Sequence, residues 1–333
     1  MTTAPDRATE EPTLRGSIPP VREWATTFVV GLFMGTADAV PGVSGGTIAL
    51  IAGIYERLIA AITNVTPGRA VRFLQALNPL AETSVRETVA VIEEVDAWFL
   101  VALLAGIVAA VVTVTRIVHV AEQETPALLF GAFFGFIAAS AVILVREISI
   151  TSTAEGAAAL AGFLVAFFLS GTETLLAGGG LLVVFVAGAI GVSAMILPGI
   201  SGSLLLVILG QYIRMTETLS EFVDALIAAA TGGPVDPVVE HGTVVVAFVV
   251  GGLVGLFTVA RLVRRALVWN REVTFAFLVA LVVGALRAPV QQTGEKVGFS
   301  TAVLVAFGGA AVVGAAVVLA LDWYAVDLDL EDV

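Results

Sequence analysis

Two stretches of this chain set helix-breaking residues and small polar groups inside otherwise apolar sequence. They are Asp38-Ala39-Val40-Pro41-Gly42-Val43-Ser44-Gly45-Gly46-Thr47 and Pro198-Gly199-Ile200-Ser201-Gly202-Ser203. Proline has no N–H to give and glycine permits a sharp reversal, so Pro41-Gly42 and Pro198-Gly199 should each end one helical arm. The serine that follows, Ser44 or Ser201, stands where a helix N-cap belongs. The arm beyond would then present the amides of Gly45, Gly46 and Thr47 in one stretch, and of Gly202, Ser203 and Leu204 in the other. Free N–H groups at a helix start, with their partial positive charge, suit an anion such as phosphate. The strings at 42–45 and 199–202 also match the Gly-x-Ser-Gly of intramembrane serine proteases. That chemistry needs a general base within reach of the serine. No His falls inside an apolar run except His119 at the end of one, so no catalytic residue is assigned and the chain is not read as an enzyme.

Asp38 is the one acid inside an apolar run before the first break. At the carbonyl end of its arm the charged form is disfavoured, so Asp38, with Thr36 and nearby carbonyls, is expected to hold a coupling Na⁺ or H⁺. A role in merely holding the hairpin closed, through Ser44, stays open. The second stretch has Met195 in the equivalent place. Arg57 and Arg214 each follow their serine by 13 residues, about 20 Å on one continuous helix. They are expected at opposite membrane surfaces, either gathering a phosphate or anchoring beside Tyr55 and Tyr212. Arg287 and Glu173 are weaker candidates of the same kind. His119 and His241 fall in loop-like contexts and are expected to be solvated. No metal-ligand cluster, nucleotide motif or cofactor site is read from the sequence.

The elements that must position these residues follow from composition. The 333 residues are 58% hydrophobic and 13% charged, against about 25% charged in an ordinary soluble domain. This excludes a soluble globular domain, a disordered chain and a disulfide-stapled one, the last because there is no Cys. A net charge of −12 leaves no footprint for nucleic acid. Lys296 is the only Lys, and the excess of acids resembles the proteins of salt-loving archaea. Apolar runs at 25–38, 43–63, 98–118, 127–145, 157–171, 181–213, 244–260, 274–286 and 300–321 predict an all-α integral membrane protein. Residues 1–24 are polar and Pro-rich, with no secretory signal, and 322–333 form an acidic tail.

The two broken regions repeat each other. At an offset of 157, ten of the 27 positions from Gly31 to Arg57 recur, including the whole of Pro-Gly-x-Ser-Gly and Gly-x-Tyr-x-Arg. Three further apolar runs follow each copy. The chain is therefore read as repeat unit A (25–171, re-entrant hairpin 25–63) and unit B (181–321, re-entrant hairpin 181–213), with about six transmembrane helices in all. Passing the chain through the bilayer this way puts Arg116, Arg214, Arg287 and Lys296 on one face and the other twelve bases on the opposite one. The richer face is expected to be cytoplasmic and to hold both termini. Three crossings then separate the hairpins, so the units are inverted.

The runs Gly35-Thr36-Ala37-Asp38-Ala39-Val40-Pro41-Gly42-Val43-Ser44-Gly45-Gly46-Thr47 and Ile196-Leu197-Pro198-Gly199-Ile200-Ser201-Gly202-Ser203 resemble the polyprenyl-phosphate transporter (PopT) family, long catalogued as a domain of unknown function (DUF 368). The similarity spans about 21–321. It implies a plasma-membrane flippase that returns the phosphate headgroup of a lipid carrier, dolichyl or undecaprenyl phosphate, to the inner leaflet for building cell-surface glycans. It carries the site onto Asp38, Pro41, Gly42, Ser44, Gly45, Gly46 and Thr47, then Pro198, Gly199, Ser201, Gly202 and Ser203. The acidic surface departs from bacterial members. The alternative is a secondary transporter of a small anion using the same paired helix starts, and a scaffold without transport is a third reading.

Overall fold

The computed structural model describes residues 19–64, 68, 90, 92–146, 148–170, 180–194 and 201–331. Among these there are thirteen helices and no strand: α1 (Val21–Ala39), α2 (Gly45–Ile51), α3 (Tyr55–Asn64), α4 (Ala97–Glu124), α5 (Pro126–Arg146), α6 (Thr153–Leu169), α7 (Leu181–Ala194), α8 (Gly202–Ile208), α9 (Tyr212–Ala230), α10 (Asp236–Trp269), α11 (Arg271–Gly284), α12 (Arg287–Val297) and α13 (Thr301–Glu331). Five stretches are long and apolar enough to cross a bilayer: α4, α5, α10, α11 joined to α12, and Thr301–Trp323 of α13. The apolar helices α6 and α7 are shorter. Large apolar side chains such as Val305 and Val312, each 70% exposed, face outward from α13, which suits hydrocarbon and not water. The chain is an all-helical, multi-pass membrane protein.

Several boundaries differ from expectation. Pro20 precedes α1, which therefore starts at Val21 and gains Glu23 in its first turn, where an acid complements the helix dipole. Its 19 residues rise about 28 Å, so the first arm is longer than the run 25–38. Helix α9 (Tyr212–Ala230) continues far beyond the apolar run that ends at 213, because acids on one side interrupt its apolar pattern. The acidic stretch after 321 continues α13 as far as Glu331 instead of forming a separate tail. Residues 1–18, 171–179 and 195–200, with Glu173, Met195, Pro198 and Gly199, lie outside the described residues, as does most of the loop between α3 and α4.

The second arms are also broken. From Ser44 to Arg57, and from Ser201 to Arg214, one continuous helix was expected. Instead α2 and α8 each stop after seven residues. Gly53 (φ +66°) and Gly210 (φ +65°) take the left-handed conformation. The N–H of Gly53 donates to Leu50 O (2.9 Å) and that of Ile54 to Ala49 O (3.0 Å). Gly210 and Gln211 repeat the pattern on Val207 O (3.0 Å) and Leu206 O (2.8 Å). Both are Schellman caps, whose left-handed position favours glycine. Arg57 and Arg214 thus begin new helices, α3 and α9.

Helix pairing follows the small residues. α1 packs along α4 and α7 along α10; α5 packs along α13 and α6 along α11. A Cβ at Gly31 would run into Leu103 O of α4, and one at Gly251 into Phe185 O of α7. Backbone contact this close gives helices in lipid their dispersion energy and weak Cα–H···O bonds. Gly251→Leu should force α7 and α10 apart. Overpacking of this kind costs about 1–3 kcal/mol, so the purified variant should melt several degrees lower in detergent. An unchanged melting temperature would contradict this packing.

Candidate functional site

The first break is a reverse turn over residues 40–43. Val43 N–H donates to Val40 O (3.3 Å), with Pro41 second and Gly42 third at φ +89°. Proline there presets φ, and a positive φ at the third position calls for glycine, the pattern of a type II turn. Pro41 is fully buried. The Gly42 carbonyl accepts from the Ser140 hydroxyl of α5, which also donates to Phe136 O (2.9 Å). The turn is thereby pinned to a spanning helix.

Beyond the turn, Ser44 has the extended backbone of an N-cap, but its side chain makes no capping bond. The cap comes from Asp38. Its Oδ1 accepts the Gly45 N–H at 2.7 Å, and the two groups are so close that a Cβ on Gly45 would collide with the carboxylate. Asp38 therefore stands at the positive start of α2 as well as at the carbonyl end of α1, which supplies the counter-dipole that the isolated first arm lacks. Thr47 N–H is taken by Ser44 O (3.2 Å). Thr36 is on another face of α1, exposed, with its hydroxyl donated to Leu32 O (2.8 Å). The expected Asp38–Thr36 partnership is absent because two positions along a helix turn side chains about 200° apart.

The second broken region meets the first at the end of α1. Ser201 is the N-cap of α8, its Oγ accepting from Leu204 N–H (3.4 Å) and lying 2.8 Å from Ser203 Oγ. The Ser203 hydroxyl donates to Val40 O (3.0 Å), and the Tyr212 hydroxyl to Ala39 O (2.6 Å). Carbonyls orphaned where α1 stops thus receive donors from α8 and α9. Ser201, Gly202, Ser203 and Tyr212 are all buried. Tyr212 is consequently part of the junction and not an interfacial anchor. Its place in Gly-x-Tyr-x-Arg marked it in the sequence, but its partner is supplied by the tertiary fold.

Two cavities border this junction. One of about 280 Å³ is lined by Asp38, Ser203, Tyr212, Thr115 and Thr216 among mainly apolar side chains of α4, α8, α9 and α10. The other, about 100 Å³, is lined by Gly42, Ser44, Thr47, Ser140 and Asp322. Asp38 faces one cavity and Ser44, beside the bonded Gly45, faces the other.

The arginines are held elsewhere. Arg57 forms a fork with Asp96 (Nε–Oδ2 2.5 Å, Nη2–Oδ1 3.0 Å), reaches Glu23 at 3.1 Å and lies over the Phe99 ring. The Asp96 hydrogen bond leads the effects that raise its pKa still further, so it stays charged. Arg214 is half-buried in the first turn of α9. Arg287 donates to Phe167 O (2.9 Å) and ties α12 to α6. Neither His is in a loop: His119 lies within α4 and His241 within α10, where its Nδ1 pairs with Glu221 at 3.3 Å. His119 stands with Glu122 and Glu217, a grouping of metal-ligand type that no local spacing announces, since α9 brings the third residue.

Comparison with known proteins agrees with this frame. The family described as VCA0040-like, undecaprenyl phosphate translocase-like, matches residues 34–303. The chain is 29% identical over 264 residues to the polyprenyl-phosphate transporter of Vibrio cholerae serotype O1, covering 79% of this chain and 76% of that one. It is 28% identical over 271 residues to the polyprenyl-phosphate transporter of Staphylococcus aureus, covering 78% and 83%. No solved structure matches. The match takes in Asp38, the first turn and the helices from α2 to α12. The chain belongs to the undecaprenyl phosphate translocase-like family, a family of transporters and not of enzymes.

Proposed function

We propose that this protein moves the phosphate headgroup of a polyprenyl phosphate, dolichyl or undecaprenyl, across the membrane by alternating access and returns the carrier to the cytoplasmic leaflet. The observation that carries this reading is the junction itself. Groups from both broken regions converge at the end of α1, inside an assembly of apolar helices. A phosphate entering hydrocarbon meets a desolvation penalty of tens of kcal/mol in the idealised limit. Polar groups fixed in the interior lower that barrier while the isoprenoid chain stays in lipid. The matching packing of α1 on α4 and α7 on α10, and of α5 on α13 and α11 on α6, supports two related units; their inversion, with re-entrant hairpins and both termini in the cytoplasm, rests on the order of the apolar runs and the distribution of the bases.

Asp38 gives the cycle a coupling step. Its carboxylate occupies the N–H that the phosphate would use, and two anions repel each other there. Na⁺ or H⁺ on Asp38 removes that competitor and frees the start of α2, so that ion and headgroup load together. Ser44, which caps nothing, and Ser201 with Ser203 then complete the phosphate's partners, together with Gly46, Thr47 and Gly202. Arg57 and Arg214 act at the two ends of the path.

The test is reconstitution in liposomes with a labelled polyprenyl phosphate. Hydrogen bonds to a charged group are worth about 1.5–3 kcal/mol each, so Ser44→Ala/Ser201→Ala should slow headgroup movement by at least about tenfold. Movement equally fast without protein would overturn the assignment. Uptake of inorganic phosphate with no lipid movement would favour the small-anion transporter instead.

A further inference from the structure

The end of α4 remote from Asp96 carries a second polar cluster that the transport reading does not use. His119 and Glu122 are one turn apart and share a face of α4; Glu217 of α9 stands opposite. One ring nitrogen and one oxygen from each carboxylate lie within 4.8 Å of one another. Glu122 is only 3% exposed. Its Oε1 pairs with Lys296 Nζ of α12, while its Oε2 is buried with no hydrogen-bond partner among the described residues. His119 Nδ1 is buried and unpartnered in the same way. The Gln123 amide lies 3.2 Å from His119 Nε2. Turned so that its oxygen accepts from Nε2–H, it leaves the Nδ1 lone pair for a metal.

The count of ligand oxygens points the same way. Glu122 and Glu217 bring two carboxyl groups against the single amine of Lys296, so the cluster holds more oxygen ligands than Lys296 engages. Lys296 engages one oxygen only, so a second cation can approach Oε2. A ligand set of one nitrogen and two carboxylate oxygens suits Zn²⁺, with Mn²⁺ next, whereas Mg²⁺ and Ca²⁺ take oxygen-only sets.

We propose that His119, Glu122 and Glu217 bind one Zn²⁺-class divalent cation that clasps α4 to α9. Three protein ligands leave a fourth position for water. Lys296 orients Glu122 from outside the coordination sphere, as partners of metal-bound carboxylates do. The clasp sits one turn beyond Thr115 and next to Thr216, both of which line the larger cavity. It would therefore fix the spacing of two of that cavity's walls.

Tag-free, full-length protein in detergent, stripped with chelator and then equilibrated with Zn²⁺, tests this by metal analysis and melting temperature. The expected result is one Zn²⁺ per chain after free metal is removed, a raised melting temperature, and no such effect of Mg²⁺. His119→Gln and Glu217→Gln should each weaken Zn²⁺ binding by more than the roughly 10–100-fold that loss of an outer-sphere partner costs. Substoichiometric Zn²⁺ in the wild type, or equal binding by both glutamine variants, would overturn the site. Should a variant fail to fold, the X-ray absorption edge of the wild type decides: histidine scattering with N/O ligands near about 2.0–2.2 Å supports the site, and an oxygen-only shell refutes it.

Discussion

Asp38→Asn is expected to abolish the dependence of transport on an ion gradient while leaving the first turn folded. The asparagine oxygen can still accept the Gly45 N–H that Asp38 Oδ1 holds at 2.7 Å, but without charge the bond falls to roughly half its strength. The substituted group no longer excludes a phosphate from the start of α2 and no longer binds a cation. In liposomes, wild-type headgroup movement should accelerate under an imposed Na⁺ or H⁺ gradient, and the variant should be indifferent to both. Asp38→Ala separates the two roles. It removes the acceptor as well, leaving a part-buried N–H at a cost of about 1–3 kcal/mol, so it should also lower the melting temperature. An Asp38→Asn protein with wild-type ion dependence would eliminate the coupling role and leave Asp38 as a structural cap.

Gly42→Ala is expected to have the largest structural effect. The left-handed φ of +89° costs an L-residue about 1–2 kcal/mol. A Cβ there would also lie 3.1 Å from backbone atoms of Phe136 and Ile137, which a rigid helix cannot move aside, adding about 1–3 kcal/mol of overpacking. Together these are on the order of 2–5 kcal/mol, concentrated at the turn that Ser140 holds to α5. The variant should be poorly folded or markedly less heat-stable in detergent. Gly46→Ala provides the contrast. Its nearest neighbour would be Ser44 Oγ at an ordinary 3.5 Å, and alanine favours a helix by about 1 kcal/mol over glycine, so its melting temperature should hold or rise. Equal melting of both variants would contradict the turn.

The turn was legible because Pro41-Gly42 is local chemistry, and so was the class of fold, because composition alone excludes water as the solvent for most of the chain. The match between the two broken regions is likewise a fact of the sequence. Yet Gly53 and Gly210, matched within it, end α2 and α8, and a glycine followed by a new helix start is the mark of a left-handed cap. The partners of Ser203 and Tyr212 could not be read. Both reach carbonyls of α1, and only the packing of one broken region against the other sets those distances. The same limit hid Glu217 from His119 and Glu122. The acids that hold Arg57 could not be read either, because Glu23 and Asp96 come to it from two other segments. Asp38 was placed at the wrong end of one dipole, which is true of α1; that it also caps α2 follows from the turn folding back.

The central claim is that a phosphate takes its partners from both broken regions in the protein interior. A cryo-EM map of the protein in nanodiscs with a polyprenyl phosphate bound tests this directly. Headgroup density within hydrogen-bond distance of Ser44 or Gly45 on one side and of Ser201 or Ser203 on the other, with Asp38 withdrawn from the Gly45 N–H, is the predicted result. Headgroup density confined to the membrane surface beside Arg57 or Arg214, with the Asp38–Gly45 bond intact, would contradict it.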